Sequence, residues 1–364
     1  MVGHDSVDLA IQEFSRAFPE VDSRPVAVTA RIRRVNFYLD RNAELVFKSF
    51  GTTGASYDVL AALYAGGRPY ALTPTELYRG RMMSSAGVTA RLDAVERDGL
   101  AARSRDPHDR RGVIVSLTKK GEKLVRDAAV ALHRRQSFIL TLYSQRERGE
   151  LLLLLKRLFA RGESTAAAFP PTFDAVLGPW LREFPKSDPW LIEFLLVLPL
   201  LTIRINRESE TLLARHDLSQ TAMFILAALR RSAQRQRLAP RELARAVLLS
   251  PAGLTTQLDQ LEKRALIERS PNASDRRAVH VALTRSGEKL VDEAAVSYLQ
   301  AHERMLAPLP SAGRQALARL LRRLLAALEQ NARETGRSDS IRERRRGPAG
   351  RSHTDRRPGR YQSR

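Results

Sequence analysis

Two long stretches of the chain carry apolar residues at the spacing of a buried helix. They lie at residues 24–48 and 190–214, and each is followed by a shorter helical pattern, at 56–65 and 222–231. Apolar positions that recur every three or four residues indicate a helix with one buried face. The pattern therefore predicts a mainly helical protein in which two similar sets of helices follow one another.

The two sets of helices belong to a repeat with a fixed offset of 166 residues. Between residues 84 and 125 no gap is needed, and 22 of 42 positions are identical to those 166 residues later. Phe18 and Phe184, each followed by Pro, align at the same offset. Self-similarity at so long a period indicates a duplicated domain. We predict copy one at residues 1–166 and copy two at residues 167–334.

Each copy predicts two short helices joined by a tight turn. In copy one the first begins in the segment LTPTELYRGRMM, where Thr73, Pro74 and Glu76 are suited to a capping box with Pro at the first helical position. Copy two has Ala239 in place of Thr73, so we expect its helix to fray more readily. This pair predicts a helix-turn-helix.

The second helix of the pair, in SSAGVTARLDAVERDGL, has two contrasting faces. Val88, Leu92 and Val95 form an apolar stripe, and small polar residues occupy the opposite face. A helix that enters the major groove needs such residues near its start, because they allow close approach to the base edges. The alternative is an ordinary amphipathic helix whose polar face is simply solvated.

A two-stranded ribbon with a basic tip follows this helix. Val113, Val115 and Leu117 alternate with polar residues, as in a half-buried strand, and residues 101–103 can pair with them. The loop between these strands reads RDPHDRR, and copy two repeats the pattern with a strand at 279–283. A basic hairpin directly after a helix-turn-helix, occurring twice, favours the DNA-binding interpretation.

These residues together resemble two fused copies of the multiple antibiotic resistance regulator (MarR) family of winged helix-turn-helix transcription factors. The resemblance covers nearly all of both halves and rests on two matching sets: Leu92-Asp93, Glu96, Leu100, Asp109-Arg110-Arg111, Leu117-Thr118 and Gly121, and Leu258-Asp259, Glu262, Leu266, Asp275-Arg276-Arg277, Leu283-Thr284 and Gly287. It implies a mainly α fold with small β wings. The two domains would pack as a pseudo-two-fold dimer through their terminal helices.

The resemblance also implies which residues contact DNA. The second helix of each motif would enter the major groove, with contacts from Ser84, Ser85, Thr89 and Arg91 in copy one and from Ser250, Thr255 and Gln257 in copy two. Wing residues Arg111 and Arg277 would reach the minor groove, and Arg110 and Arg276 would lie near phosphates. Asp109 and Asp275 would brace the wings through a salt bridge.

The charge of the chain agrees with a polyanionic partner. The formal net charge is +21, and residues 335–364 alone hold ten Arg against three acidic residues. We expect that basic segment to be a disordered tail, because it is too poor in apolar residues to bury a core. It would add salt-sensitive DNA affinity that does not depend on base sequence.

The residues give little indication of an enzyme, a cofactor-binding protein, or a secreted or membrane protein. The chain has no Cys, its seven His show no metal-ligand spacing, and no phosphate loop or nucleophile motif occurs, so we expect neither an enzyme nor a cofactor. No signal peptide is recognisable at the N-terminus. The apolar run LIEFLLVLPLLTI at 191–203 is too short to span a bilayer, so we expect no membrane association and a cytoplasmic protein.

The resemblance thus implies a sequence-specific regulator of transcription, a repressor that responds to a small anionic or phenolic effector. The two domains would form a pseudo-dimer within one chain, leaving further self-association open. Unlike residues on the two reading helices, such as Arg91 and Gln257, predict an asymmetric operator. Asp58 is either a ligand-coupling carboxylate, as in some relatives, or a helix-capping residue. The alternative is a non-specific DNA-binding or protein-interaction protein that keeps the fold without reading an operator.

Overall fold

The two copies have the same order of helices and strands. The computed structural model describes residues 5–18, 22–81, 85–106, 112–160, 173–232, 237–247, 251–271 and 279–346. Copy one contains α1 Ser6–Ala17, α2 Arg24–Ser49, α3 Gly54–Ala65, β1 Ala71–Leu72, α4 Pro74–Arg81, α5 Ser85–Arg97, β2 Ala101–Arg105, β3 Val113–Leu117, α6 Lys119–Gln136 and α7 Gln145–Ala160. Copy two contains α8 Phe173–Glu183, α9 Pro189–Leu213, α10 Gln220–Arg231, β4 Arg237–Leu238, α11 Pro240–Val247, α12 Pro251–Lys263, β5 Ile267–Pro271, β6 Val279–Leu283, α13 Arg285–Leu306 and α14 Ser311–Arg346. The expectation of a mainly helical protein with small wings is confirmed.

Each copy contains a small antiparallel sheet of three strands. β3 lies between β1 and β2, and β6 lies between β4 and β5. Val115 is buried and pairs with Arg103 on one side and Leu72 on the other, whereas Val113 is exposed. The predicted ribbon is therefore present. The sequence pattern misses the third strand, because two residues are too few to show alternation.

The helices that open the two helix-turn-helix motifs begin differently. In α4 the backbone N–H of Thr73 donates to Glu76 Oε2 at 2.7 Å, and the Glu76 N–H donates to Thr73 Oγ1 at 3.2 Å, which completes the predicted capping box. In α11 the Ala239 N–H donates to Glu242 Oε2 at 2.8 Å, which is half of the box. Readier fraying of α11 stays a prediction.

The long helices of both copies share one apolar core. α2 and α7 of copy one pack with α9 and α14 of copy two, and Ile32, Leu155, Phe194 and Leu321 are all fully buried there. We call the part from α3 to α6 the winged portion of copy one, and the part from α10 to α13 the winged portion of copy two. Each winged portion has a further core of its own. Burial of so many large side chains supplies the main favourable free energy that holds the two halves together.

The first helix of each copy packs against the winged portion of the other copy. Phe14 of α1 and Phe18, which directly follows α1, lie in the core of copy two, with ring centroids 4.6 Å apart. Trp180 of α8 and Phe184, which directly follows α8, stack at 5.1 Å and pack against the core of copy one. The two pairs are separated by the repeat offset, so the exchange of helices is reciprocal. Neither copy completes its core from its own residues.

A buried charged cluster lies on the copy-one side of the shared core. Arg31 Nε donates to Asp5 Oδ2 at 2.7 Å, and both side chains are almost fully buried. Asp8 accepts from Arg31 and, at 2.8 Å, from Arg322 of α14. The ions are thereby paired and hydrogen-bonded, as burial requires. The cluster links α1, α2 and α14, and Val197 stands in α9 at the position that corresponds to Arg31.

Helix α9 contains the most apolar stretch of the chain. Together with the short 3₁₀ turn after it, residues Pro189–His216 are long and apolar enough to cross a membrane by length and composition, so the length argument against a span is wrong. Its buried residues, among them Leu191, Val197 and Leu201, pack in the shared core. The core helix of a soluble domain passes the same test of length and composition.

The expectation of a disordered tail from residue 335 needs correction at its start. Helix α14 continues to Arg346, so residues 335–346 are helical. The packed part of α14, which includes the buried residues Leu317 and Leu328, precedes this segment, and extending an existing helix costs less than starting a new one. The remainder of the predicted tail, 347–364, and the predicted join between the copies, 161–172, lie outside the described residues.

A buried histidine between the copies makes stability depend on pH. His302 of α13 is fully buried, and its Nδ1 lies 2.8 Å from Thr29 Oγ1 of α2. Burial, together with the charge of Arg33, lowers the pKa of His302 from 6.5 to about 3. The folded protein therefore keeps His302 neutral at pH values where the unfolded chain protonates it.

We predict that His302→Gln, which introduces the residue found at the matching position 136, flattens the acid dependence of stability. Between the two pKa values the unfolded state binds one more proton, so His302 makes the free energy of unfolding fall by about 1.4 kcal/mol for each pH unit of acidification. Urea unfolding of both proteins at pH 5 and pH 7 checks this. The control is His216→Gln, and an unchanged pH slope in His302→Gln would contradict the prediction.

Candidate nucleic-acid interface

The reading helices α5 and α12 are anchored by matching apolar residues. Leu92 and Val95 of α5 are buried in the core of copy one, and Leu258 and Leu261 of α12 are buried in the core of copy two. α5 packs against α3 and α4, while α12 packs against α10 and α11. Each pair of short helices thus forms the predicted helix-turn-helix, with its polar face directed away from the core.

The residues expected to contact DNA lie partly on this polar face. Thr89 and Thr255 are exposed, and Arg91 and Gln257 are half-buried. α5 begins at Ser85, but the Ser85 side chain is not among the described ones. The other predicted positions lie outside the described residues: Ser84, Asp109, Arg110, Arg111, Ser250, Asp275, Arg276 and Arg277. Their contacts stay predictions.

An arginine on the first long strand of each wing is paired with the reading helix. In copy one Arg103 Nη2 lies 2.6 Å from Asp93 and Arg103 Nη1 lies 2.7 Å from Glu96. In copy two Arg269 makes the matching pair with Asp259 at 2.6 Å, and Glu262 is 3.4 Å away. One planar guanidinium that holds two carboxylates fixes the angle between helix and wing.

Sequence reasoning missed this arginine brace and assigned bracing to Asp109 and Asp275. A signal was present, because Arg103 and Arg269 are identical at the repeat offset. The acidic partners, three residues apart on α5, were also identical in copy two. Charge pairing between a helix and the strand after it leaves no periodic pattern, so only the comparison of the copies could reveal it.

The Leu-Thr-x-x-Gly motif closes the base of each wing. Thr118 Oγ1 accepts from the Gly121 N–H at 3.1 Å and donates to the Gly99 carbonyl at 2.8 Å, so it caps α6 and ties it to the turn after α5. A Cβ at Gly121 would lie only 1.9 Å from the Leu100 carbonyl oxygen. Thr284 and Gly287 repeat this arrangement in copy two. The glycine is required by the close backbone approach.

Asp58 of α3 faces the reading helix of copy one. Its carboxylate lies 3.8 Å from Arg91 Nη1. Thr53 caps α3, so the helix-capping interpretation of Asp58 is wrong. In copy two the matching residues are Phe224 and Gln257, which cannot form this ion pair. Gln257 instead donates to Gln260 at 3.2 Å along the same helix.

A second carboxylate, on the long helix α2, lies near Asp58. Desolvation and then the Asp58 charge raise the pKa of Asp40 to about 6, although Asn36, which donates to Asp40 Oδ2 at 2.8 Å, lowers it. The Asn36 Oδ1 atom is buried, and none of the described residues forms a hydrogen bond with it. Copy one thus has a polar, acidic contact between its long helix α2 and α3, the helix that precedes its helix-turn-helix.

Comparison with known proteins identifies the family. Sequence models described as the MarR family match residues 50–112 and residues 218–279. The regulator PecS of Dickeya dadantii is 30% identical over 148 residues, which is 41% of this chain and 89% of PecS. The chain belongs to the MarR family. Because the family models match once in each copy, the protein is a tandem MarR-family chain with two winged helix-turn-helix motifs.

Other relatives and solved structures have the same single-copy extent. The transcriptional repressor YetL of Bacillus subtilis is 22% identical over 151 residues, 42% of this chain and 90% of YetL. A structure of Bordetella bronchiseptica BpsR is 25% identical, covers 34% of this chain and 96% of BpsR, and has a TM-score of 0.30. The complex of Staphylococcus aureus MepR with DNA is 19% identical, covers 40% of this chain and 95% of MepR, and has a TM-score of 0.31.

We predict that Arg103→Ala and Arg269→Ala each weaken DNA binding by about tenfold, which corresponds to about 1.4 kcal/mol. The wing and the reading helix would then no longer be held at a fixed angle. Global stability should change by less than about 1 kcal/mol, since these pairs are partly exposed. Fluorescence anisotropy with bound DNA and thermal unfolding measure the two effects. The control is Lys123→Ala, which breaks an exposed pair with Asp127 on α6; an equal loss of affinity in the control would refute a bracing role.

Proposed function

We propose that this MarR-family protein is a sequence-specific double-stranded DNA-binding repressor that acts as an intramolecular pseudo-dimer. The observation that carries the proposal is the presence of two identically braced reading helices in one chain. Relatives named as repressors, such as YetL and MprA, support the direction of regulation. The site of action would be the cytoplasm, where the DNA of a bacterial regulator lies.

The reciprocal exchange of α1 and α8 supports the pseudo-dimer. Phe14 and Phe18 pack in copy two, and Trp180 and Phe184 pack on copy one, as two separate subunits of an intertwined dimer would do. Covalent tethering raises the effective concentration of the partner domain to about the millimolar range. A single chain can therefore present two reading heads, each made of a helix-turn-helix and its wing, without associating with a second chain.

The DNA contacts that we propose follow the polar faces of α5 and α12 and the tips of both wings. Thr89 and Thr255 are identical in the two copies and exposed, which suits contacts common to both half-sites. Arg91 and Gln257 differ and would read guanine and adenine respectively. The wing arginines at 110–111 and 276–277 would contact the minor groove and phosphates.

A specific regulator should bind its own promoter DNA about a thousandfold more tightly than random duplex. We expect Arg111→Ala and Arg277→Ala each to lower affinity for both kinds of DNA without unfolding the protein, because each removes one wing cation. Anisotropy titrations across a range of salt concentrations measure both quantities.

The same titrations separate the alternative function. Equal affinity for promoter and random DNA with a steep salt dependence would identify a non-specific basic protein. Absence of binding to either would identify a protein-interaction role, in which the fold is kept without operator reading. In either case the proposed repressor function would be wrong.

The unlike reading heads make an asymmetric operator the expected target. Its half-sites would lie about 10 base pairs apart, centre to centre, and one chain would occupy both. We expect Arg91→Gln to shift one half-site from guanine towards adenine and Gln257→Arg to shift the other in the opposite direction. Selection from a random DNA library with each variant checks this, and native mass spectrometry gives the number of chains bound. A perfect palindrome occupied by two chains would contradict the asymmetric reading.

Ligand response would act through copy one. Asp58 lies 3.8 Å from Arg91, so a small anionic or phenolic effector that competes for Arg91 would change the position of the reading helix. Asp40, with its pKa raised to about 6, gains negative charge above that pH and would oppose an anionic effector there. Copy two has Phe224 in place of Asp58, so the same coupling would be missing from it.

A further inference from the structure

Helix α2 of copy one makes polar contacts with the winged portion of copy two at three positions within six residues. Thr29 Oγ1 lies 2.8 Å from His302 Nδ1. Arg33 Nη1 donates to the Tyr298 hydroxyl at 2.8 Å, and the Arg33 guanidinium lies 4.6 Å from the centre of the Phe224 ring. One residue further along, Arg34 Nη2 donates to the Ala246 carbonyl of α11 at 3.3 Å. These contacts tie α2 to α10, α11 and α13.

The matching positions of α9 cannot make these contacts with copy one. At the repeat offset Thr29, Arg33 and Arg34 are replaced by Leu195, Pro199 and Leu200, whose side chains carry no hydrogen-bond donor and no charge. The receiving residues have changed as well. Phe224 corresponds to Asp58, and Tyr298 corresponds to Leu132, which has no hydroxyl group.

The residue that corresponds to His302 is Gln136, and its hydrogen bond is made within its own copy. Gln136 Nε2 donates to the Leu39 carbonyl at 3.4 Å, and Leu39 belongs to the same copy. His302 instead lies between Thr29 of the other copy and Ser209 of its own copy, 3.5 Å from the Ser209 hydroxyl. At this position, therefore, α13 is linked across the interface and α6 is linked back to its own long helix. Elsewhere α6 also contacts copy two, since His133 Nε2 accepts from the Asp188 N–H at 3.4 Å.

Both copies keep the contact with the exchanged first helix. In copy one Tyr64 donates to Glu183 of α8 at 2.9 Å, and Trp180 and Phe184 lie beside the Tyr64 ring. In copy two the Arg230 guanidinium lies 5.5 Å from the centre of the Phe18 ring of α1. Arg126 of α6 also pairs with Glu183, at 3.4 Å. The exchanged first helix is thus held on both sides, and the contacts of Arg33 and Arg34 are additional ties on the side of copy two.

We propose that Arg33 and Arg34 are positioning residues that fix the reading head of copy two, so that the head of copy one is the one that changes orientation. The inference rests on the proposed function, in which both heads contact DNA. A fixed head sets the register on one half-site. The other head, with its Asp58–Arg91 pair, adjusts to the second half-site and to an effector.

The contact chemistry favours a rigid attachment. A guanidinium placed over an aromatic ring is attracted by the negative face of the ring, and more strongly when water is excluded. The added hydrogen bond to Tyr298 fixes the plane of the guanidinium, because its donors have a rigid geometry. Movement of copy two away from α2 would have to break both contacts at once. The head of copy two should therefore open less often than the head of copy one.

Hydrogen–deuterium exchange on the full chain, without DNA, tests the attachment directly. In the wild-type protein we expect slower amide exchange in α10 and α13 than in α3 and α6. Arg33→Ala should raise exchange about fivefold in α10 and α13 and leave α3 and α6 unchanged, because local opening follows the loss of a tie of about 1 kcal/mol. Arg41→Ala is the matched control, since Arg41 lies on the same helix and its ring contact is with Phe37 of that helix.

Two further variants keep the test decisive. Tyr298→Phe removes only the hydroxyl that accepts from Arg33, so it should raise exchange in copy two by a smaller factor. Arg33→Lys keeps the cation and should restore part of the protection that Arg33→Ala loses. Equal changes in both copies, or an effect of Arg41→Ala as large as that of Arg33→Ala, would overturn the proposal.

Footprinting gives a readout that a purely structural role would not move. Arg33→Ala should weaken protection at the half-site whose bases respond to Gln257→Arg and leave the half-site that responds to Arg91→Gln unchanged. Uniform weakening at both half-sites would count against the proposal. If the wild-type protein binds no specific DNA, the proposed function fails, whereas the exchange experiment still decides the attachment.

Discussion

The exchange of first helices between the two copies is the constraint on which the rest of the structure depends. Phe14 and Phe18 complete the core of copy two, and Trp180 and Phe184 cover the core of copy one. The winged portions are therefore attached to each other's chain segments as well as to the shared core of long helices. The separation of the two reading helices follows from this attachment, because α5 and α12 are anchored to cores that the exchange holds in place.

The contacts that hold the reading helix to its wing are the same in both copies, whereas contacts across the interface differ between them. Thr118 and Thr284 cap equivalent helices, Gly121 and Gly287 make the same close backbone approach, and the arginine brace recurs with the same partners. These contacts fix the internal shape of one winged unit, so each copy needs them separately. Contacts such as that of Arg33 with Phe224 involve only one side of the interface.

Local features of the fold could be predicted from the sequence, and features that join distant segments could not. The strand at 113–117, the Thr73 capping box and the helix-turn-helix all follow from spacing within about twenty residues. The exchange of α1 and α8 leaves no local pattern, because Phe14 is an ordinary apolar helix residue until its partner, two hundred residues away, is known. The pairing of Asp58 with Arg91 has no local pattern either, because Arg91 lies on another helix. The sequence therefore left a helix-capping role for Asp58 open. The extension of α14 beyond residue 335 depends on the packed segment before it, which composition alone does not show.

Covalent duplication permits paired changes that a symmetric dimer could not keep. In copy one Arg126 donates to the Tyr64 hydroxyl at 3.0 Å, and at the matching positions of copy two Arg230 donates to Asp292 at 2.9 Å. Each pair is internally compatible, yet the arginine has moved to the opposite member of the pair. In a dimer of identical chains, any substitution enters both sides of the interface, so Arg33 would have to face the same residue twice. In one chain Arg33 meets Phe224, while the residues at the corresponding positions are Pro199 and Asp58. The two sides of the interface can therefore acquire different stiffness, and with it different roles, without any change in the fold.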